Sequence, residues 1–155
     1  MYLRYATMLI GATYLAFGLL GFLYVDAINP IHHNGVGARY LLNLIAINEL
    51  HNIVHLAVGV TGLWAATSLA WSRRWGLIVG AVLLVLFIVG MVQAYLQGFP
   101  NDQMLLGLVP LNSPGHILHM VTGGLALYIG LVPLPEADTA TSDVSMMRDA
   151  QDVAV

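Results

Sequence analysis

The stretch Ile53-Val54-His55-Leu56-Ala57-Val58-Gly59-Val60-Thr61-Gly62-Leu63-Trp64-Ala65-Ala66-Thr67-Ser68-Leu69-Ala70 carries no charged side chain. It is long enough to reach most of the way across a hydrocarbon layer of ~30 Å, which takes ~20 helical residues. Lipid cannot satisfy backbone polar groups, so such a stretch is a helix or part of a closed barrel. Barrel strands alternate over ~10 residues, and this run does not alternate. Three further apolar segments flank it. The expected spans are 5–25, 40–71, 75–97 and 114–134. The sequence therefore predicts an all-α integral membrane protein, a bundle of four transmembrane helices filling one domain over 1–134. Residues 135–155 follow as an acidic, disordered cytoplasmic tail, with Pro133 and Pro135 ending the last helix.

Composition agrees. The 155 residues are 59% hydrophobic and 8% charged, against roughly 25% charged in ordinary globular chains. There is no cysteine, which excludes disulfides, thiolate metal sites and iron–sulfur clusters. There is no lysine, which excludes Schiff-base chemistry. A net charge of −3 leaves no footprint for nucleic acid. Arg4 precedes the first segment, but its apolar run is too long for a cleaved signal, so it reads as a retained span. Arg4, Arg73, Arg74 and Arg148 fall on one side of the predicted topology and Arg39 on the other. The positive-inside rule then puts both termini in the cytoplasm of a bacterial inner membrane. A turn is expected at Ser72-Arg73-Arg74, with Tyr24, Tyr40, Tyr95, Trp71 and Trp75 as interfacial anchors.

The second and fourth segments share a pattern. Asn52-Ile53-Val54-His55-Leu56-Ala57-Val58-Gly59 aligns with His116-Ile117-Leu118-His119-Met120-Val121-Thr122-Gly123. The two segments run the same way, which suggests a two-plus-two parallel repeat about an axis along the membrane normal. Asn48, His51, Asn52 and His55 share one helix face, and Asn112, His116 and His119 share another. Polar groups in a span turn toward one another because lipid offers no partner. Counting from Trp71 and Pro135 puts His55 and His119 each ~24 Å above the cytoplasmic edge. All six histidines, including His32 and His33, then fall in the outer half.

Imidazoles at i, i+4 and i, i+3 suit a transition metal such as Zn or Cu, with His51, His55, His116 and His119 as ligands. Asn48, Asn52, Asn112 and Glu49 are candidate outer partners that fix the histidine tautomers. A tetrapyrrole is the other cofactor to weigh, with His55 and His119 as axial ligands and Gly59 and Gly123 leaving room for the ring. The same glycines, with Gly62, Gly124 and Gly76-x-x-x-Gly80, also serve close helix packing. The bland reading of the stripe is hydrogen bonding between helices. No Ser/His/Asp order, phosphate-binding glycine loop or zincin motif is present, so the chain is more simply read as a non-enzyme.

The pattern Asn48-x-x-His51-Asn52-x-x-His55-x-x-x-Gly59, followed by Leu118-His119-x-x-x-Gly123, resembles the bacterial four-pass membrane family catalogued as domain of unknown function 4383. The resemblance covers about 1–134. It implies a membrane fold and no established activity. Three functions remain open on these residues: a metal- or haem-binding membrane protein, an accessory subunit of a larger membrane complex or homo-oligomer, and a proton-coupled transporter or redox protein.

Overall fold

The computed structural model describes residues 2–23, 39–98 and 103–133. Within them lie four helices, α1 (Tyr2–Leu23), α2 (Glu49–Ala65), α3 (Leu69–Gln97) and α4 (Ser113–Leu131), and two antiparallel hairpins. One hairpin pairs β1 (Arg39–Leu41) with β2 (Ile45–Ile47), and the other pairs β3 (Gln103–Leu105) with β4 (Val109–Leu111). α1 and α3 are both long and apolar enough to cross a membrane.

The order helix–hairpin–helix occurs twice. From the hairpins onward, each feature recurs 64 residues later: Arg39 and Gln103, Ile45 and Val109, Asn48 and Asn112. Both hairpin turns have two central residues at positive φ, Leu42 (52°) and Asn43 (59°) in one, Leu106 (51°) and Gly107 (74°) in the other. Three residues separate the paired strand ends in each hairpin, and the first two take the mirror-image turn whose hand matches the twist of the strands. Each is closed by the same bond, Leu44 N to Leu41 O at 3.0 Å and Leu108 N to Leu105 O at 2.9 Å.

The first helix of each half packs antiparallel on the second, and glycines set the approach. A Cβ on Gly11 would lie 2.8 Å from Leu63 N, and one on Gly80 would lie 2.4 Å from Leu127 N. Gly59 and Gly123, one turn below the two histidines, are packed in the same way: a Cβ would meet Leu15 N at 2.4 Å and Leu83 Cβ at 3.0 Å. Arginine closes the far end of each half. Arg4 Nε donates to Ala66 O at 2.8 Å, and Arg73 Nη1 donates to Val132 O, so a cation sits at the carbonyl end of α2 and of α4. The equivalent positions here differ by 69 residues: Arg4 and Arg73, Gly11 and Gly80.

Three expectations need correction. The predicted helix over 40–71 begins with a hairpin, because Asn48 caps the helix at Glu49 and the chain before it pairs as β1–β2. These strands read as helix because Tyr40-Leu41-Leu42 and Leu44-Ile45-Ala46-Ile47 are apolar with only Asn43 between them, and Leu41, Ile45 and Ile47 are all buried. The turn falls at Ala66–Ser68, not at Ser72-Arg73-Arg74, which lies inside α3. Ser72 Oγ instead donates back to Ala65 O at 3.2 Å. The depth count from Trp71 fails with that turn. His55 stands ten residues, or ~15 Å, above the end of α2 at Ala65, and His119 twelve residues, or ~18 Å, above Leu131. Their common level is set from the other end, for each is the seventh residue of its helix. His32, His33, the residues from 134 onward and Arg148 lie outside the described residues.

Leu106 spends the left-handed conformation on a β-carbon that disfavours it, by ~1–2 kcal/mol. Leu106→Asn gives the turn the Asn-Gly pair that such hairpins prefer. Unfolding in mixed micelles is expected to show a gain of about 1 kcal/mol, with no change in helix content by circular dichroism.

Candidate metal centre

Asn48 and Asn112 start α2 and α4, and they also tie the two halves together. Each accepts a backbone N–H at its own helix start: Asn48 Oδ1 from His51 N at 2.8 Å, Asn112 Oδ1 from Gly115 N at 3.2 Å. Each also donates from Nδ2 across to the other hairpin, Asn48 to Leu108 O at 2.9 Å and Asn112 to Leu44 O at 2.8 Å. The bonds are reciprocal, as a two-fold relation requires. Asn112 Oδ1 adds a contact from Ala46 N at 3.3 Å.

With both helices started from one joint, their seventh residues face each other. The rings of His55 and His119 are 6.5 Å apart between centroids and nearly perpendicular, at 88°. His51 completes the group at 4.3 Å from His55 and 6.0 Å from His119. One ligand-capable atom from each of the three residues lies within 4.8 Å of the others. Tetrahedral zinc at ~2.1 Å from each nitrogen needs a spacing of about 3.4 Å, closer than the group stands without an ion. The three side chains are buried, with His55 at 1% exposure.

What these rings lack is as informative as where they stand. Neither Nδ1 nor Nε2 of His55 has a hydrogen-bond partner among the described residues, nor does Nδ1 of His51 or of His119. An unmade bond at a buried polar group costs ~1–3 kcal/mol, and native interiors rarely leave such groups without a purpose. His51 hydrogen-bonds the backbone of Ala46 and Pro110. Since its Nδ1 is unpaired, Nε2 is the donor, and Nδ1 is left with its lone pair toward the group. Ala46 and Pro110 are equivalent positions of the two hairpins, so His51 sits where the halves meet. Its counterpart in the second half is Gly115.

Tyr14 and Phe17 of α1 wall the group on one side. The Tyr14 ring stands edge-on to His55 at 5.1 Å, and its hydroxyl bonds Thr122 Oγ1 at 2.7 Å. Phe17 lies 6.4 Å from His55. On another side is a cavity of about 210 Å³, walled by aliphatic side chains of α2, α3 and the β3–β4 hairpin. Gln93 of α3 holds that hairpin, donating to Met104 O at 2.7 Å and accepting from Leu106 N at 3.3 Å.

The structure brings His51, His55 and His119 together but takes His116 elsewhere. His116 lies against Gly90, where a Cβ would come within 2.5 Å of its Cε1, and its ring is 6.4 Å from Phe87. Asn52, its equivalent, lies against Gly21 in the same manner, 2.2 Å from Oδ1 to a would-be Cβ. Glu49 is exposed and pairs loosely with Arg39 at 3.9 Å. Tyr14, Thr122, Gln93 and the hairpin wall were not singled out in the sequence. The hairpins did leave a signal: Leu41-Leu42-x-Leu44 before Asn48 matches Leu105-Leu106-x-Leu108 before Asn112.

This is a mostly helical chain with two membrane-length apolar helices and a buried histidine group that could hold a metal ion. A family model described as domain of unknown function (DUF4383) matches residues 4–132, and the chain belongs to that family. No curated protein and no solved structure matches it.

Asn112→Ala removes a cap and both bonds to the first hairpin. It is expected to destabilise by about 2–3 kcal/mol, more than the ~1 kcal/mol typical of an isolated helix cap. Chemical unfolding in detergent measures it.

Proposed function

We propose that this is a small four-span membrane protein that holds one transition-metal ion between its two halves. The observation that carries the reading is the convergence of three buried histidines, His51, His55 and His119, from two equivalent helices, with four of their ring nitrogens unpaired among the described residues. Imidazole donors without carboxylates favour Zn, Cu, Ni or Fe over Mg or Ca. The backbone bond of His51 is of the kind that orients a ligating ring.

Four spans in a bundle are supported by the outward faces of the shorter helices. Ile53, Val60 and Trp64 of α2 and Ile117, Val121 and Leu125 of α4 are exposed, which suits lipid and not water. Arg4, Arg73 and Arg74 lie at the end away from the hairpins. By the positive-inside rule that end is cytoplasmic, and the metal level is then ~9 Å below the outer ends of α2 and α4. A bacterial inner membrane is the setting this implies.

The tetrapyrrole reading is less well supported. Gly59 and Gly123 are filled by Leu15, Leu83 and Leu84, and the cavity of about 210 Å³ is smaller than the ~300–1,000 Å³ typical of drug-sized ligand pockets.

Protein purified in detergent and loaded with zinc or cobalt is expected to retain near-stoichiometric metal by elemental analysis. His55→Ala and His119→Ala should each weaken binding by at least about 100-fold, at or beyond the ~10–100-fold of a lost outer partner. His116→Ala should leave it within a few-fold. Loading should fall in acid, because ligation needs unprotonated imidazole. A metal-free protein that co-purifies with other subunits would instead favour an accessory role.

A further inference from the structure

Three imidazoles leave a tetrahedral ion one coordination position short of closure, the arrangement of a metal that meets an exogenous ligand. Where that position points decides what reaches it. The cavity beside His51, His55 and His119 is bounded by Val54 and Val58 of α2, Leu83 and Leu86 of α3, and Leu106 and Leu108 of the hairpin. None of these six side chains offers a hydrogen bond or a charge, and the hydroxyl of Tyr14, which also lines the cavity, is taken by Thr122. Val54 is 42% exposed, Leu106 71% and Leu108 59%, so they form a lip on the outward face of the protein. That lip lies between α2 and α3, beneath the β3–β4 turn. On the α1 side, Tyr14 forms the inner wall of the cavity and Phe17 stands against His55 outside it.

We propose that the open metal position takes a small uncharged ligand that dissolves in the hydrocarbon and enters sideways between α2 and α3. This rests on the metal reading given above. The volume, about 210 Å³, suits a molecule of diatomic to single-ring size, since an apolar cavity of ~150 Å³ in another protein holds benzene. Hydrated anions are excluded on energetic grounds. Bringing one past these six side chains strips its water and returns no hydrogen bond before the metal itself.

The test uses the full chain in lipid nanodiscs, loaded with cobalt(II), whose visible d–d bands report its coordination. Pyridine and azide are the probes, at mildly alkaline pH, where the first is neutral and the second an anion. Pyridine is expected to shift the bands at concentrations at least tenfold below those at which azide does. Leu86→Trp and Val58→Phe, each filling the cavity while leaving all three histidines in place, should retain cobalt and lose the pyridine response by tenfold or more. Azide acting as readily as pyridine overturns the inference, as does a pyridine response that neither variant alters. Cobalt bound without any pyridine response overturns this inference alone, whereas failure to bind cobalt at all overturns the metal reading beneath it.

Discussion

Two asparagines hold the architecture. Asn48 and Asn112 each start a helix with one side-chain atom and reach the opposite hairpin with another, so helix start and assembly of the halves are fixed by the same amide. The Asn112 cap bond is buried and the Asn112–Leu44 bond partly so, and an unmade bond at a buried polar group is costly. The meeting of His55 and His119 is a consequence: two helices launched from one joint, in the same direction, bring their seventh residues level. Neither histidine is aimed by a long loop.

The repeat is a symmetric frame with an asymmetric centre. Turns, caps, packing glycines and terminal arginines recur in both halves. At the position after the cap where the first half places His51, the second places Gly115. Two imidazoles there would contend for the same space near Ala46 and Pro110. One imidazole and one glycine give three donors around a single point, with the fourth direction toward the cavity.

Much of this was legible in the residues. An uncharged run of membrane length, the scarcity of charge and the polar stripe Asn48, His51, Asn52, His55 point to long helices with an inward histidine face, and the aligned Asn52–Gly59 and His116–Gly123 segments pointed to the duplication. The hairpins were not legible by hydropathy. Their strands are three residues long, and β1, β2 and β4 show no in–out alternation, so periodicity could not separate them from helix. His116 shows the limit of spacing as a guide. It shares a helix face with His119, yet Gly90 opens a niche that draws its ring toward α3, and nothing in the order of residues near His116 announces that niche.

Within each half, α1 lies on α2 and α3 on α4 along their length, while contact between the halves is sparser and runs from the hairpins to the Ser72–Ala65 and Trp75–Thr61 bonds at the other end. An ion gripped by His55 of one half and His119 of the other would act as a clasp between two helix pairs, each far more closely joined within itself than to its neighbour.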